Sequence, residues 1–430
     1  MVSRSELLIK NYCKKIGLVL LRIIVCVLVG TLLMTLVYMI PTNKIEDNVK
    51  KSAQIFQREG NRPILINGIT SQCDNFTDAL ILLEAAKKND RNILVSAMEV
   101  KESNIGKQTP TEAIVNHYIH NKPFTYHRAY PRYWHGNLLV IKPLMNFVDY
   151  YGFRIINSIM ALLMMIFITW LLFKYNEKGF IAPYIISMLF MMPLTIAFSI
   201  QLSSCYYVLN AGIIGLLLSK NKVPNKSIYI FLYIGIATAF FDLLTYPIAT
   251  FGVPCALYLF MCERDTLKNY LKKIIKAGAL WGIGYTLMWI SKWIIATLIT
   301  DKNVLADGLK QTNSRTSVGM TVVSRLKLIV GTEIKNIYYF LKTPVVIIAL
   351  IYILIMIVLI IRQHKRIKSS ISLVLPFVVL MLAPCCWYAF VAEHSVVHAW
   401  FTYKALVVSA ISALSIPPFI YKCSKEEKQG

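Results

Sequence analysis

Residues 153–173 read FRIINSIMALLMMIFITWLLF, 21 positions among which Arg154 is the one charged side chain. At about 1.5 Å of rise per residue, a helix of that length covers the roughly 30 Å hydrocarbon core of a bilayer. Asp149 stands just before the run, and Lys174 and Lys178 just after it. Comparable apolar runs recur near 17–40, 180–199, 203–219, 227–241, 248–262, 276–298, 343–361, 370–390 and 404–421, which predicts ten spans in all. With 56% hydrophobic and 16% charged residues over 430 positions, the chain is too apolar for a soluble protein of its size. The expected fold class is an all-α integral membrane protein with about ten transmembrane helices.

The net charge of +24 suggests nucleic acid until its distribution is considered. Lys and Arg collect in alternate connectors: Arg4, Lys10, Lys14 and Lys15; Lys174 and Lys178; Lys220, Lys222 and Lys226; Arg264, Lys268, Lys272, Lys273 and Lys276; Arg362, Lys365, Arg366 and Lys368; Lys422, Lys425 and Lys428. The intervening short loops, near Gln201, Asp242–Pro247 and Ala392–Thr402, contain none. That alternation follows the positive-inside rule and places both termini in the cytoplasm. Membrane lipids are then the partner of the basic charge, and no nucleic acid is implied. The first run lacks a small-residue cleavage site and reads as a retained anchor. The Lys/Ile/Asn-rich composition points to a bacterial cytoplasmic membrane. Of the nine cysteines only Cys73 falls clearly in a large outer segment, so no disulfide framework is expected.

This topology makes 1–430 a single polytopic domain with two sizeable outer segments, 41–152 and 300–343. In the first, Phe76, Leu80, Leu83 and Ala86 recur at helical spacing, and the segment reads as short interfacial helices. In the second, alternating charged and apolar faces predict one or two amphipathic helices on the membrane surface.

Ionisable groups beside membrane spans are costly and usually have a partner or a task. Asp74 and Asp78, four apart in DNFTDALILL, share a helix face; they suit paired acid–base work, or Asp74 simply caps the helix. Arg128, Arg132 and His135 stand among Tyr130, Tyr133 and Trp134, a mixture suited to phosphate and sugar binding or to anchoring at the interface. Asp242 and Tyr246 in FDLLTYP read as a broken helix end lining a cavity, or as a buried ion pair of Asp242 with Arg154 or Lys292. Glu393, His394, His398 and Lys404 lie in AEHSVVHAWFTYK. The two histidines have zinc-ligand spacing, but Glu393 precedes them, which is the wrong order for an HExxH protease. A metal with a third ligand from elsewhere, such as Asp242 or His135, anion or hydroxyl recognition in a cavity, and the polar lip of a helix are the readings left open. All these groups map to the outer side, which predicts a single polar cavity there.

The organisation of the chain (a short inside N-terminus, one span, a large first outer loop with an acidic motif, then many spans) resembles the GT-C superfamily of membrane glycosyltransferases. The segments DNFTDALILL, YPRYWHGNLLVIKPL, FDLLTYP and HSVVHAWFTYK also resemble an uncharacterised set of Gram-positive membrane proteins of this architecture. The resemblance implies transfer of a sugar from a polyprenyl-phosphate donor to a cell-envelope glycan, lipid or protein acceptor. Asp74 or Asp78 would be the base. Arg128, Arg132, His398 or Lys404 would hold the lipid phosphate, and Asp242, Glu393 and His394 would bind hydroxyls or orient the cations. Asp74 lies more than 30 residues past the first span, farther out than the family's acid. No cofactor is required on this reading, and nothing in the sequence supports a divalent metal. A lipid-linked glycan flippase or transporter, and a polysaccharide polymerase or ligase, are the alternatives.

Overall fold

A computed structural model describes residues 4–66, 68–220, 224–362 and 370–426. The connector cations Lys222, Lys365, Arg366, Lys368 and Lys428 lie outside the described residues. The chain is almost wholly helical. Helix α1 (Arg4–Tyr38) leads into α2 (Asn43–Glu59), α3 (Asn75–Ala86), α4 (Ile93–Glu99), α5 (Pro110–Tyr118) and α6 (Leu138–Leu144), which build the first long loop. A two-stranded antiparallel ribbon of β1 (Lys101–Asn104) and β2 (Tyr126–Ala129) closes that loop, with Glu102 opposite Arg128. The first long loop is built mainly of short helices, of which α3 is buried along nearly its whole length.

The bundle follows: α7 (Tyr150–Lys174), α8 (Ile181–Phe190), α9 (Pro193–Phe198), α10 (Ile200–Ser219), α11 (Ile230–Phe241), α12 (Ile248–Met261) and α13 (Leu267–Ile299). The second long loop holds α14 (Val304–Arg315) and α15 (Val322–Leu341). The chain then continues through α16 (Val345–Arg362), α17 (Ser370–Met381), α18 (Ala383–Phe390), α19 (Ala392–Val397), α20 (Ala399–Thr402) and α21 (Val407–Glu426).

Six helical stretches among the described residues are long and apolar enough to cross a membrane, or seven if the bent pair α15–α16 counts as one. This supports a multi-pass membrane protein and does not confirm the count of ten. The runs at 227–241 and 248–262 form helices of only 15 and 14 residues. The run at 180–199 breaks at Met191–Met192, where Pro193 cannot donate the helical hydrogen bond and Met192 takes a left-handed φ of 54°. Pro344 similarly separates α15 from α16, which meet at 81°. Helices α11 and α13 are in backbone contact: a Cβ on Gly235 would strike the Trp281 carbonyl, and one on Gly284 the Leu232 carbonyl. Small residues at such crossings let helices approach closely where lipid supplies no hydrophobic drive.

One buried polar knot joins the first loop to the bundle. Asp78 on α3 accepts hydrogen bonds from Tyr150 Oη (2.6 Å), Ser199 Oγ (3.1 Å) and the backbone N–H groups of Ile200 (2.8 Å) and Gln201 (3.0 Å). The carboxylate therefore caps the N-terminus of α10 from another helix, satisfying orphan donors and complementing the helix dipole. Beside it, Arg154 forks onto Glu59 with two contacts of 2.8 Å, and also donates to Asn75 Oδ1 (3.1 Å). Helices α2, α3, α7 and α10 thus meet at one point. Removing a buried, fully hydrogen-bonded carboxylate strands its donors. Asp78→Ala is expected to destabilise the protein by about 3–5 kcal/mol, and Asp78→Asn by less, read as unfolding midpoints in detergent. An Asp78→Ala protein as stable as wild type would contradict this role.

Candidate functional site

A cavity of about 450 Å³ opens on the face of the bundle that carries both long loops. Its floor is the start of α3. Asp74 is the N-cap of that helix: Thr77 donates its N–H to Oδ1 (3.1 Å) and its hydroxyl to Oδ2 (2.7 Å). Asp74 is 3% exposed, and burial raises its pKa above the usual carboxylate value against those hydrogen bonds and the charge of Arg62. The cap and the cavity wall are the same side chain, so capping and function are not alternatives here.

Four arginines face this acid. Arg128 lies on β2 and Arg132 just after it, Arg62 on the link that follows α2, and Arg315 at the end of α14. Arg128 is paired with the fully buried Glu102 (2.6 Å), directly across the ribbon. Arg132 is paired with Asp307 of the second loop (2.7 Å) and lies 4.9 Å from the centre of the Tyr130 ring. Arg315 donates to Tyr133 Oη (2.7 Å), and Arg62 lies 5.4 Å from the Trp400 ring centre. Among the described residues neither Arg62 nor Arg315 forms an ion pair with a carboxylate.

His394 and His398 complete the wall, with ring centroids 4.7 Å apart. His394 Nε2 lies 2.8 Å from the Leu244 carbonyl, so that nitrogen carries the proton and donates. Burial, followed by the charges around it, pushes His394 down to about 3 and His398 to about 4. Both rings are therefore neutral at pH 7, and the cationic work expected of them falls to the arginines. Helix α15 holds this segment in place: Thr332 donates to the Ala392 carbonyl (3.1 Å) and Asn336 to the Ser395 carbonyl (3.3 Å).

Several buried polar atoms of the lining have no protein partner: Gln201 Oε1, Trp400 Nε1, His398 Nδ1 and Arg132 Nε. Gln201 is 6% exposed and Trp400 5%. A buried donor or acceptor left unpaired costs about 1–3 kcal/mol. Their convergence on one cavity fits a ligand that both donates and accepts hydrogen bonds.

Of the residues expected at the site, Asp74, Arg128, Arg132, Tyr133, His394 and His398 line this cavity. The others are elsewhere. Asp78 is consumed by the α10 cap, so its catalytic pairing with Asp74 finds no support in the geometry. His135 is fully buried at 3.1 Å from Glu84, its other nitrogen 2.9 Å from the Tyr130 carbonyl. Asp242 caps its own turn through the N–H and hydroxyl of Thr245, paired with neither Arg154 nor Lys292. Tyr246 Oη donates to the Leu202 carbonyl. Lys404 is buried at the α8–α9 break, donating to the Met191 carbonyl (2.8 Å) and Thr195 Oγ1 (3.0 Å). Glu393 is half-buried on α19 and outside the lining. Arg62, Gln201 and Arg315 were not foreseeable as site residues, because no motif stands around them in the sequence.

A second, apolar groove of about 600 Å³ runs between α7, α10 and α11, lined by Phe153, Met160, Met164, Tyr207, Tyr233 and Phe241 among others. Ile200 and Ser203 line the groove while Gln201 lines the polar cavity, and Phe241 and Leu243 divide in the same way. The two spaces are therefore neighbours across the first turn of α10. Among the described residues, no group of three or more His, Cys, Asp or Glu side chains is placed to hold a metal ion. No family model, curated protein or solved structure matches the chain.

The histidine environment has a measurable signature. Their folded pKa values lie below the unfolded value of about 6.5, so the unfolded chain binds more protons between pH 6.5 and 4. Their contribution is present above pH 6.5 and lost as pH falls through that window, at up to ~1.4 kcal/mol per pH unit for each ring. Wild type is expected to lose stability on acidification from pH 6.5 to 4.5 more steeply than a His394→Gln/His398→Gln protein. Parallel pH profiles of thermal unfolding would show that the rings are not held neutral.

Proposed function

We propose that the chain is a membrane glycosyltransferase that moves a sugar from a polyprenyl-phosphate donor to a cell-envelope acceptor. The observation that carries the reading is the single cavity in which a buried carboxylate, Asp74, faces four arginines and a set of unpaired donors and acceptors. A volume of about 450 Å³ suits a phosphorylated sugar, within the range typical of ligand pockets. The neighbouring apolar groove suits a hydrocarbon chain, which favours a lipid-linked donor over a soluble one. The positive-inside pattern sets this face outside the cytoplasmic membrane.

On this reading Asp74 takes the proton of the acceptor hydroxyl. The acceptor oxygen attacks the anomeric carbon from the side opposite the phosphate, inverting it. The bond from that carbon to the phosphate oxygen breaks, and its electron pair stays on the lipid phosphate. The arginines stabilise the charge that develops there, and do so strongly because they are fixed before the reaction begins. Gln201, Trp400 and the neutral His398 supply hydrogen bonds to sugar hydroxyls.

The test uses membranes carrying the protein and radiolabelled polyprenyl-phosphate sugars. Wild type is expected to consume a donor, and Asp74→Asn to lower the rate by about 10²–10⁴, the usual contribution of a general base, with little change in donor affinity. No consumption of any such donor by wild type would remove the transferase reading.

A further inference from the structure

The four arginines of the cavity fall into two electrostatic classes. Arg128 and Arg132 each have a carboxylate within 2.7 Å, on Glu102 and Asp307. Arg62 and Arg315 have none at ion-pair distance among the described residues; they hold aromatic and phenol contacts, and the charge of Arg62 also reaches Asp74. Both lie close enough to act on the same ring, His398, and Arg315 acts on His394 as well. The Nδ1 of the His398 ring and the Nε1 of Trp400, both residues of the cavity lining, are unpaired. Uncompensated guanidiniums beside unpaired, buried hydrogen-bonding atoms form an anion seat with its anion missing from the charge balance.

We infer that Arg62 and Arg315, with His398 and Trp400, seat a phosphodiester carrying a single negative charge. The rest is a charge count. Four guanidiniums stand against Asp74, Glu102 and Asp307; with neutral histidines, and with Glu102 ionised in its 2.6 Å pair with Arg128, one positive charge remains. Asp74, Glu102 and Trp400 are buried, and an uncompensated charge beside buried groups is costly, so this end of the cavity favours electroneutrality. One negative charge balances it, as in a lipid–phosphate–sugar diester; the two charges of a lipid–pyrophosphate–sugar do not. The count also holds after transfer. Cleavage leaves the lipid phosphate with two negative charges, and the acceptor proton neutralises Asp74, leaving two uncompensated arginines to match. The inference rests on the transferase reading for the sugar and lipid parts of the ligand; the seat and its charge do not depend on turnover.

Binding in lipid nanodiscs tests it with three probes: a ten-carbon isoprenyl phosphodiester of glucose, the matching pyrophosphodiester, and methyl phosphoglucose without a chain. The phosphodiester is expected to bind at least tenfold more tightly than the pyrophosphodiester, and more tightly than the methyl probe. Arg62→Gln and Arg315→Gln are each expected to weaken it about tenfold. Asp307→Asn adds one positive charge at a half-exposed position and is expected to move the preference toward the pyrophosphodiester. Equal or tighter pyrophosphodiester binding by wild type, or an unchanged preference in Asp307→Asn, overturns the charge match. Unchanged binding in both single arginine variants overturns the seat, and equal binding of the methyl probe overturns the lipid-linked source. Intact, arginine-dependent binding without any sugar transfer would instead remove the transferase reading and leave the seat standing.

Discussion

The architecture depends on a carboxylate that caps a helix to which it does not belong. Asp78 receives two backbone N–H groups at the start of α10, along with the hydroxyls of Tyr150 and Ser199. A helix that begins inside a protein must satisfy its first N–H groups from somewhere. Here the donors are satisfied by the first long loop, so the loop and the bundle cannot form independently. The Glu59–Arg154 fork closes the same knot from α2 and α7. Taken alone, a buried ion pair contributes little net stability after desolvation, but breaking one is costly. The arrangement therefore specifies geometry more than it adds stability.

The consequence for the cavity is direct. Asp74 lies one helical turn before Asp78 on α3. Anchoring Asp78 fixes the first turn of that helix, and with it the cap that faces the arginines. The second long loop is fastened to the first by Asp307 on Arg132 and by Arg315 on Tyr133. The third wall, at 392–402, is held by Thr332 and Asn336 of α15. Three segments far apart in sequence thus reach one cavity, each through its own polar tie. Rigid support of this kind is what lets preorganised charges act without reorganising.

The separation of the arginines follows from the same ties. Arg128 and Arg132 carry their carboxylates as structural partners, which leaves their charge largely spent. Arg62 and Arg315 lean on aromatic rings, which stabilise a guanidinium without neutralising it. The cavity therefore combines fixed shape with a residual positive charge, two properties that would conflict if all four arginines were paired.

Membrane residence and the recurrence of apolar helices were legible in the sequence, because hydrophobic run length is a local property. The acid at the start of α3 was legible too: an Asp ahead of Asn-Phe-Thr and an apolar run caps a helix through its own neighbours. Where those runs break was not, since Pro193 and Pro344 decide where an apolar run bends only through what the freed backbone groups find around them. Nor was the division of labour between Asp74 and Asp78. Spacing placed them on one face, but the donors that claim Asp78 come from residues 150 and 199–201. The sequence by itself determined the solvent this chain folds in and the helices it folds into. Only the tertiary structure decided which polar groups meet, because a buried charge takes its role from partners brought together across hundreds of residues.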